Sequence, residues 1–144
     1  GYWKAPEKTA AAFFGDWFRS GDIGYLDADG FLYLTDRKKD MIISGGENIA
    51  SSEVERVIYE LPQVREVAVI GLPDERWGER PVAVVALADG AELDLATLAA
   101  HCPARLASFK VPKQLLIRDS LPRNPSGKVL KRVLRAECEG NADG

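Results

Sequence analysis

Two apolar stretches rich in β-branched residues place the strongest limit on how this chain of 144 residues can fold. They cover residues 64–72 and 81–87, and the short loop between them contains Pro73 and Gly78. Valine and isoleucine favour strands, whereas proline and glycine favour the turn that joins two strands. We therefore expect the two stretches to be paired strands.

Helical patterns surround this pair of strands. Ser52 and Glu55 have the spacing of a capping box, and the apolar residues that follow repeat at helical spacing until Pro62 ends them. Further elements are expected as a helix at about 95–106 interrupted by Pro103, a strand at 114–118 and a helix at 129–137. These expectations describe a small α+β domain with a short, mostly antiparallel sheet flanked by helices.

The first 36 residues differ from the rest, because aromatic residues and glycines punctuate short apolar stretches there. The Asp29-Gly30 pair predicts a hairpin, since glycine accepts the positive φ of a tight turn. The charged segment at residues 36–40 then interrupts the apolar pattern, so we place a hinge there. We predict that residues 1–38 are the end of a large N-terminal domain and that residues 39–144 form a mobile C-terminal domain.

The composition and the cysteine and histidine positions argue against several classes of function. Hydrophobic residues make up 46% and charged residues 28% of the chain, which is typical of a soluble globular protein, and the net charge of −3 argues against a nucleic-acid partner. Cys102 and Cys138 lack the spacing of a metal site, and His101 has no partners for a hydrolase triad. We expect free thiols, no metal site, no transmembrane segment and a cytoplasmic protein.

Three side chains suggest chemistry by their type and position. Asp22 follows a glycine and could accept hydrogen bonds from the two hydroxyls of a ribose, and the guanidinium of Arg37 suits ribose or phosphate oxygens. Lys128 is predicted to lie in the first turn of a helix, where its charge opposes the macrodipole by ~0.3–1 kcal/mol. A bound anion would compensate for this unfavourable interaction of the Lys128 charge. The alternatives are a turn aspartate, a surface ion pair and a solvated lysine in a basic tail.

The motifs that contain these residues carry a resemblance to a known family. They read WFRSGD at residues 17–22, DRKKDMIISGGEN at 36–48 and LPRNPSGK at 121–128. In this order they resemble the C-terminal signature motifs of the adenylate-forming superfamily of acyl-CoA synthetases, peptide-synthetase adenylation domains and luciferases. The GGEN sequence in the second motif is more similar to the corresponding motif of acyl- and aryl-CoA ligases. The resemblance implies part of an ATP-dependent acid–CoA ligase, which forms an acyl-adenylate and then an acyl-CoA.

The resemblance also implies a role for individual residues. Lys128 would serve the adenylation half-reaction, Asp22 and Arg37 would bind the nucleotide ribose, and Lys39 would be the pivot between two orientations. The residues expected to contact CoA are Gly45, Gly46, Trp77, Phe109, Lys110 and Lys113. For the last four of these, structural packing is an equal alternative. ATP and Mg²⁺ are implied, with CoA as co-substrate.

The sequence contains no Ser/Thr/Gly-rich loop to cradle the β- and γ-phosphates of ATP. We therefore expect the chain to need its own N-terminal domain for activity, and the carboxylic acid is not specified. One alternative is a stand-alone regulatory module that binds a nucleotide or CoA. Another is a module for nucleic acid or membrane surfaces that uses the basic tail at residues 123–135.

Overall fold

The computed structural model describes residues 1–140, and the chain divides into two compact units. The first unit is Gly1–Lys39, and the second unit begins at Asp40. The change from one unit to the other falls inside the charged segment at residues 36–40. None of the helices in the described part of the chain has the length and hydropathy needed to cross a lipid bilayer.

The first unit contains one helix and two antiparallel hairpins. Its elements are α1 (Pro6–Ala11), β1 (Phe13–Phe14) paired with β2 (Trp17–Phe18), and β3 (Asp22–Leu26) paired with β4 (Leu32–Arg37). Sequence reasoning missed α1, which starts at a proline. Proline is tolerated at this position because the N–H groups of the first helical turn have no partner within the helix.

The hairpin predicted at Asp29-Gly30 is confirmed. Gly30 has a φ of +85°, and the Asp27 carboxylate accepts the backbone N–H groups of Asp29 and Phe31 across the turn. These hydrogen bonds, above all the one from Phe31, hold the pKa of Asp27 below its ordinary value.

The second unit is built on a five-stranded sheet. Its strands are β5 (Ile42–Ser44), β6 (Glu47–Ile49), β7 (Val64–Asp74), β8 (Gly78–Leu87) and β9 (Gln114–Arg118). Strand β8 pairs with β7 along its whole length in antiparallel register, which confirms the expected pair of strands. The other edge of β8 meets β5 at Gly78 and then pairs with β9 in parallel.

Alternate residues of the central strands point to opposite faces of this sheet, and each face is covered by helices. Val69 and Val85 pack in one core with α2 (Ser51–Ile58) and α3 (Leu95–His101). Their neighbours Ile70 and Val84 pack in a second core with Leu134 of α4 (Lys131–Gly140). Burial on both faces explains the continuous apolar sequence. Each fully buried valine or isoleucine contributes about 1.5–3 kcal/mol.

The ends of the helices differ from the sequence prediction. Helix α2 has Ala50 as its N-cap, so Ser52 lies inside the helix and not at the N-cap position that was predicted for it. The Glu55 carboxylate accepts the Val69 N–H at 2.8 Å and pairs with the Lys131 ammonium at 2.6 Å. The helix predicted at 95–106 ends at His101 and continues as a 3₁₀ turn that contains Pro103. Helix α4 begins at Lys131, two residues later than predicted.

The cysteines of the second unit are both free thiols, as predicted. Cys102 is fully buried beside α2 and α3, and Cys138 is partly buried on α4. Burial raises the pKa of both thiols, because the thiolate loses its hydration there. His101 ends α3, and its Nε2 lies 3.0 Å from the Val57 carbonyl oxygen.

Candidate functional site

Asp22 and Arg37 are brought together by the second hairpin of the first unit. They are direct cross-strand partners, and Arg37 Nε lies 2.7 Å from Asp22 Oδ1. A surface ion pair was the alternative for Arg37, and the structure shows one with Asp22 across the hairpin. The Asp22 side chain is 23% exposed and that of Arg37 is 47% exposed. A carboxylate and a guanidinium are thus presented together, where hydroxyl groups can reach both.

Lys39 lies in a single 3₁₀ turn, Lys38–Asp40, between β4 and β5. Its side chain is exposed, whereas that of the next residue, Asp40, is 9% exposed and lies 3.5 Å from the Arg135 guanidinium. The second unit is therefore anchored from Asp40 onward. A short exposed turn next to a fixed residue is a suitable place for a backbone rotation.

Lys128 lies in a tight turn and not at the start of a helix, so the macrodipole argument is wrong. The Asn124 N–H donates to the Lys128 carbonyl oxygen at 2.9 Å, and the Lys128 N–H donates to Asn124 Oδ1 at 2.8 Å. The turn extends from a bridge between Arg123 and Val129. The Lys128 side chain is exposed, and within residues 1–140 no hydrogen bond or ion pair holds its ammonium. This charge is available to a ligand.

A groove of about 440 Å³ crosses the second unit near Trp77. We call it the Trp77 groove, and its lining residues come from the β5–β6 hairpin, from the start of β8 and the loop before it, and from residues 108–113. They are Ser44, Gly45, Glu47, Trp77, Arg80, Ser108, Phe109 and Lys113. The structure therefore brings together Gly45, Trp77, Phe109 and Lys113 from the residues that the sequence predicted for CoA.

Close contact with Trp77 explains why Gly45 is a glycine. The Gly45 N–H donates to the Trp77 carbonyl oxygen at 2.8 Å, and a Cβ on Gly45 would lie 2.8 Å from Cε3 of the indole ring. The backbone also has a φ of +60° at Gly45, which other residues rarely adopt. The Arg76 guanidinium lies 4.6 Å from the ring centroid of Trp77. The indole is therefore held against the glycine turn.

Two of the predicted CoA residues are not among those that line the groove. Gly46 follows Gly45 with a φ of +83°, and no atom lies within 4 Å of where its Cβ would be. The Lys110 ammonium is bound by both carboxylate oxygens of Glu53, at 2.9 and 2.7 Å. Lys110 is thereby tied to α2, which corresponds to the packing alternative for this residue.

Arg80 is a lining residue that sequence reasoning missed. Its guanidinium donates to the Pro73 carbonyl oxygen at 2.8 Å and lies 3.8 Å from the Asp74 carboxylate. The sequence prediction began the strand at Pro81, so Arg80 was treated as part of the loop. Because β8 starts at Gly78, Arg80 instead projects from a regular strand into the groove. Arg80 and Lys113 thus line the groove with positive charge, and Glu47 lines it with negative charge.

Comparison with known proteins identifies the family. The profile of the family described as the AMP-binding enzyme C-terminal domain matches residues 53–128, which is more than half of the chain. The chain belongs to this family. It is 53% identical over 136 residues to the long-chain-fatty-acid–CoA ligase FadD13 of Mycobacterium tuberculosis. It is also 53% identical over 135 residues to the 2-succinylbenzoate–CoA ligase of Geobacillus kaustophilus.

Solved structures share the fold. The ATP-bound MatB of Rhodopseudomonas palustris has a TM-score of 0.86 at 43% identity, covering 95% of this chain and 27% of that one. The o-succinylbenzoate CoA synthetase of Bacillus subtilis, in complex with its acyl-adenylate intermediate, has a TM-score of 0.82 at 44% identity over 88% of this chain and 26% of that one. These matches confirm the small α+β fold and the predicted resemblance.

The two ligases are aligned over 94% of this chain but over only 27% and 28% of their own lengths. The chain therefore spans little more than a quarter of the relatives that it matches.

Proposed function

We propose that the chain is the C-terminal part of an ATP-dependent acid–CoA ligase. In this reaction a carboxylate and ATP form an acyl-adenylate and pyrophosphate, and CoA then displaces AMP to give an acyl-CoA. Family membership supports the proposal, as do the names of relatives such as the feruloyl-CoA synthase of Amycolatopsis, which is 51% identical over 135 residues.

The Trp77 groove is the observation that carries the proposal. It combines a backbone turn without side chains at Gly45, aromatic surfaces at Trp77 and Phe109, and cations at Arg80 and Lys113. CoA has a thin pantetheine arm, an adenine ring and several phosphates, so each part of the ligand has a suitable partner. In this assignment Gly45 and Gly46 border the pantetheine arm. Lys110 supports Phe109 through its link to Glu53 and does not contact phosphate directly.

Asp22 and Arg37 are the proposed ribose contacts. A carboxylate that already accepts one charged donor keeps further lone pairs for two vicinal hydroxyls. Arg37 uses Nε toward Asp22, which leaves its terminal nitrogens for ribose or phosphate oxygens.

Lys128 is the proposed catalytic residue of adenylation. A substrate carboxylate oxygen attacks the α-phosphorus of ATP, an oxygen–phosphorus bond forms, and the bond to pyrophosphate breaks. Negative charge develops on the attacked phosphate and the leaving group, and a positioned ammonium stabilises that charge without a covalent intermediate. The exposed ammonium on a fixed turn suits this role.

The remaining parts of the reaction are assigned to an N-terminal domain that precedes this chain in the longer enzyme. That domain would bind the acid and most of the ATP, and would cover exposed aromatic residues such as Trp3 and Trp17, which are 88% and 79% exposed. We propose residues 1–38 as its end and residues 39–144 as the mobile domain, with Lys39 as the pivot. Alone, the chain would be inactive.

The described residues contain no group of three or more His, Cys, Asp or Glu side chains that could hold a metal ion. We therefore assign no ligand of the implied Mg²⁺ to this chain. When bound in the longer enzyme, the ion would supply neutralisation of phosphate charge.

Exchange of radiolabelled pyrophosphate into ATP tests the proposal. The longer enzyme is assayed with fatty acids, 2-succinylbenzoate and ferulate, and we expect Lys128→Ala to lower the exchange rate by roughly 10²–10³-fold. Arg132→Ala is the matched control, because it removes another exposed cation near the turn. Normal exchange by Lys128→Ala would refute the assignment. Binding of ATP or CoA without ligase activity on any acid would instead favour a regulatory module.

A further inference from the structure

The turn that carries Lys128 is short and exposed, so its side chain needs a fixed backbone if it is to meet a phosphate accurately. Hydrogen bonds within the turn involve only Asn124, Ser126, Gly127 and Lys128. Contacts of this kind shape the turn but do not fix its position on the sheet. Val129 packs against the second core and holds the base of the turn, whereas a separate side chain connects the Gly127–Lys128 peptide to the sheet.

Arg123 makes that connection. Its Nε and Nη2 donate to Glu66 Oε2 on β7 at 3.0 and 2.6 Å, and its Nη1 donates to the Gly127 carbonyl oxygen at 2.6 Å. The Glu66 side chain is only 18% exposed. One planar guanidinium therefore ties a largely buried carboxylate of the sheet to the peptide immediately before Lys128. A lysine could not make both contacts in this geometry, because its ammonium is a single point charge.

We infer that Arg123 is a positioning residue for Lys128, with Glu66 as its anchor. This inference rests on the proposed function of Lys128 in adenylation. Arg123 does not contact the reacting atoms in this role. It holds the Gly127–Lys128 peptide so that the ammonium reaches the α-phosphate when the adenylating orientation forms. A displacement of about 1 Å at such a group lowers a rate by up to about 100-fold.

The inference predicts a split between the two half-reactions. Arg123→Gln should lower kcat for pyrophosphate exchange by about 10- to 100-fold and leave KM for ATP within about twofold. Formation of acyl-CoA from added acyl-adenylate should stay within about twofold, because that step does not use Lys128. Glu66→Gln should give the same pattern more weakly, and Arg123→Lys should fall between Arg123→Gln and the unsubstituted enzyme.

Arg65 provides a matched control within the same unit. Its Nη2 donates to the Asp119 carbonyl oxygen at 2.5 Å, and its Nη1 lies 3.8 Å from the Asp89 carboxylate. Its side chain is 48% exposed, compared with 45% for Arg123. Arg65→Gln thus removes a similar link between a strand and a loop, but one in which neither partner is part of the Lys128 turn. Both half-reactions should stay within about twofold of the unsubstituted enzyme.

Amide hydrogen exchange on the same full-length variants separates this inference from the proposed function. Arg123→Gln should speed exchange of the Lys128 amide by about tenfold, and Arg65→Gln should leave it unchanged. If the unsubstituted enzyme activates no acid, the proposed function fails, and unchanged Lys128 exchange would independently overturn the positioning role. An equal loss in both half-reactions, or normal adenylation by both Arg123→Gln and Glu66→Gln, would also overturn it.

Discussion

At the scale of single residues, the contact between Gly45 and Trp77 leads to a prediction about CoA binding. Gly45→Ala adds a Cβ that overlaps the indole ring. It also places alanine at a positive φ, which costs residues other than glycine about 1–2 kcal/mol. The ring must move, so we expect KM for CoA to rise about tenfold, equivalent to about 1.4 kcal/mol. Steady-state kinetics of the longer enzyme measures this change, and pyrophosphate exchange should be unaffected.

Gly90→Ala is the control for backbone strain. Gly90 has a φ of +72° and no atom within 4 Å of its missing Cβ, so this variant carries the strain without a steric clash. If Gly90→Ala raised KM for CoA as much as Gly45→Ala, contact with Trp77 would not explain the effect.

The resemblance to CoA ligases selected Gly45, Trp77, Phe109 and Lys113, and the structure gathers these four residues in one groove. The reason for Gly45 was not visible in the sequence, because it depends on two loops that meet only in the folded unit. The environment of Lys110 was missed for a similar reason. Its partner Glu53 lies on α2, far away in the chain.

At the scale of secondary-structure elements, Lys131 connects α4 to α2. Its ammonium lies 2.6 Å from both Glu55 Oε1 and Ser51 Oγ, and its side chain is 14% exposed. Lys131→Met should lower the free energy of unfolding by about 1–3 kcal/mol, less than for a fully buried pair because both partners keep some solvent. Urea denaturation measures the loss.

The neighbouring Arg132 is exposed and supplies the comparison for Lys131. Arg132→Met should change the free energy of unfolding by less than about 0.5 kcal/mol. Equal losses for the two variants would indicate an effect of helix propensity or net charge and would contradict the specific link to α2.

The elements themselves were largely predictable, because β-branched stretches and helical spacing are local signals. The ends of the helices and strands were less predictable. Ser52 and Glu55 have the spacing of a capping box, yet α2 has Ala50 as its N-cap, and Lys131 pairs with the Glu55 carboxylate. The start of α4 was misplaced because Val129 is apolar at helical spacing but belongs to a bridge with Arg123. The parallel pairing of β9 with β8 also depends on tertiary structure.

At the scale of the whole molecule, the proposed pivot at Lys39 predicts that backbone freedom matters more than charge. Proline fixes φ and removes the N–H, so Lys39→Pro should hold the longer enzyme in one orientation. We expect one half-reaction to fall at least about tenfold while the other stays within about twofold. Pyrophosphate exchange and acyl-CoA formation from added acyl-adenylate measure the two steps separately.

Lys39→Ala distinguishes backbone freedom from charge, because it removes the ammonium and keeps a rotatable φ. It should leave both steps within about threefold. Equal inhibition of both steps by Lys39→Pro, or a matching loss with Lys39→Ala, would count against a hinge at this residue. The charged segment at residues 36–40 contains the division between the two compact units, since solvated residues rarely belong to a core. The acid that is activated was not predictable, because none of the motifs in this chain describes a pocket for it.

The different burial of Cys102 and Cys138 gives the second unit two internal chemical reporters. Cys102 is completely enclosed in the core beside α2 and α3, and the raised pKa of its thiol further slows alkylation. Cys138 lies on the more accessible α4. A maleimide reagent would therefore modify Cys138 through local opening of α4, whereas modification of Cys102 would require the core itself to open.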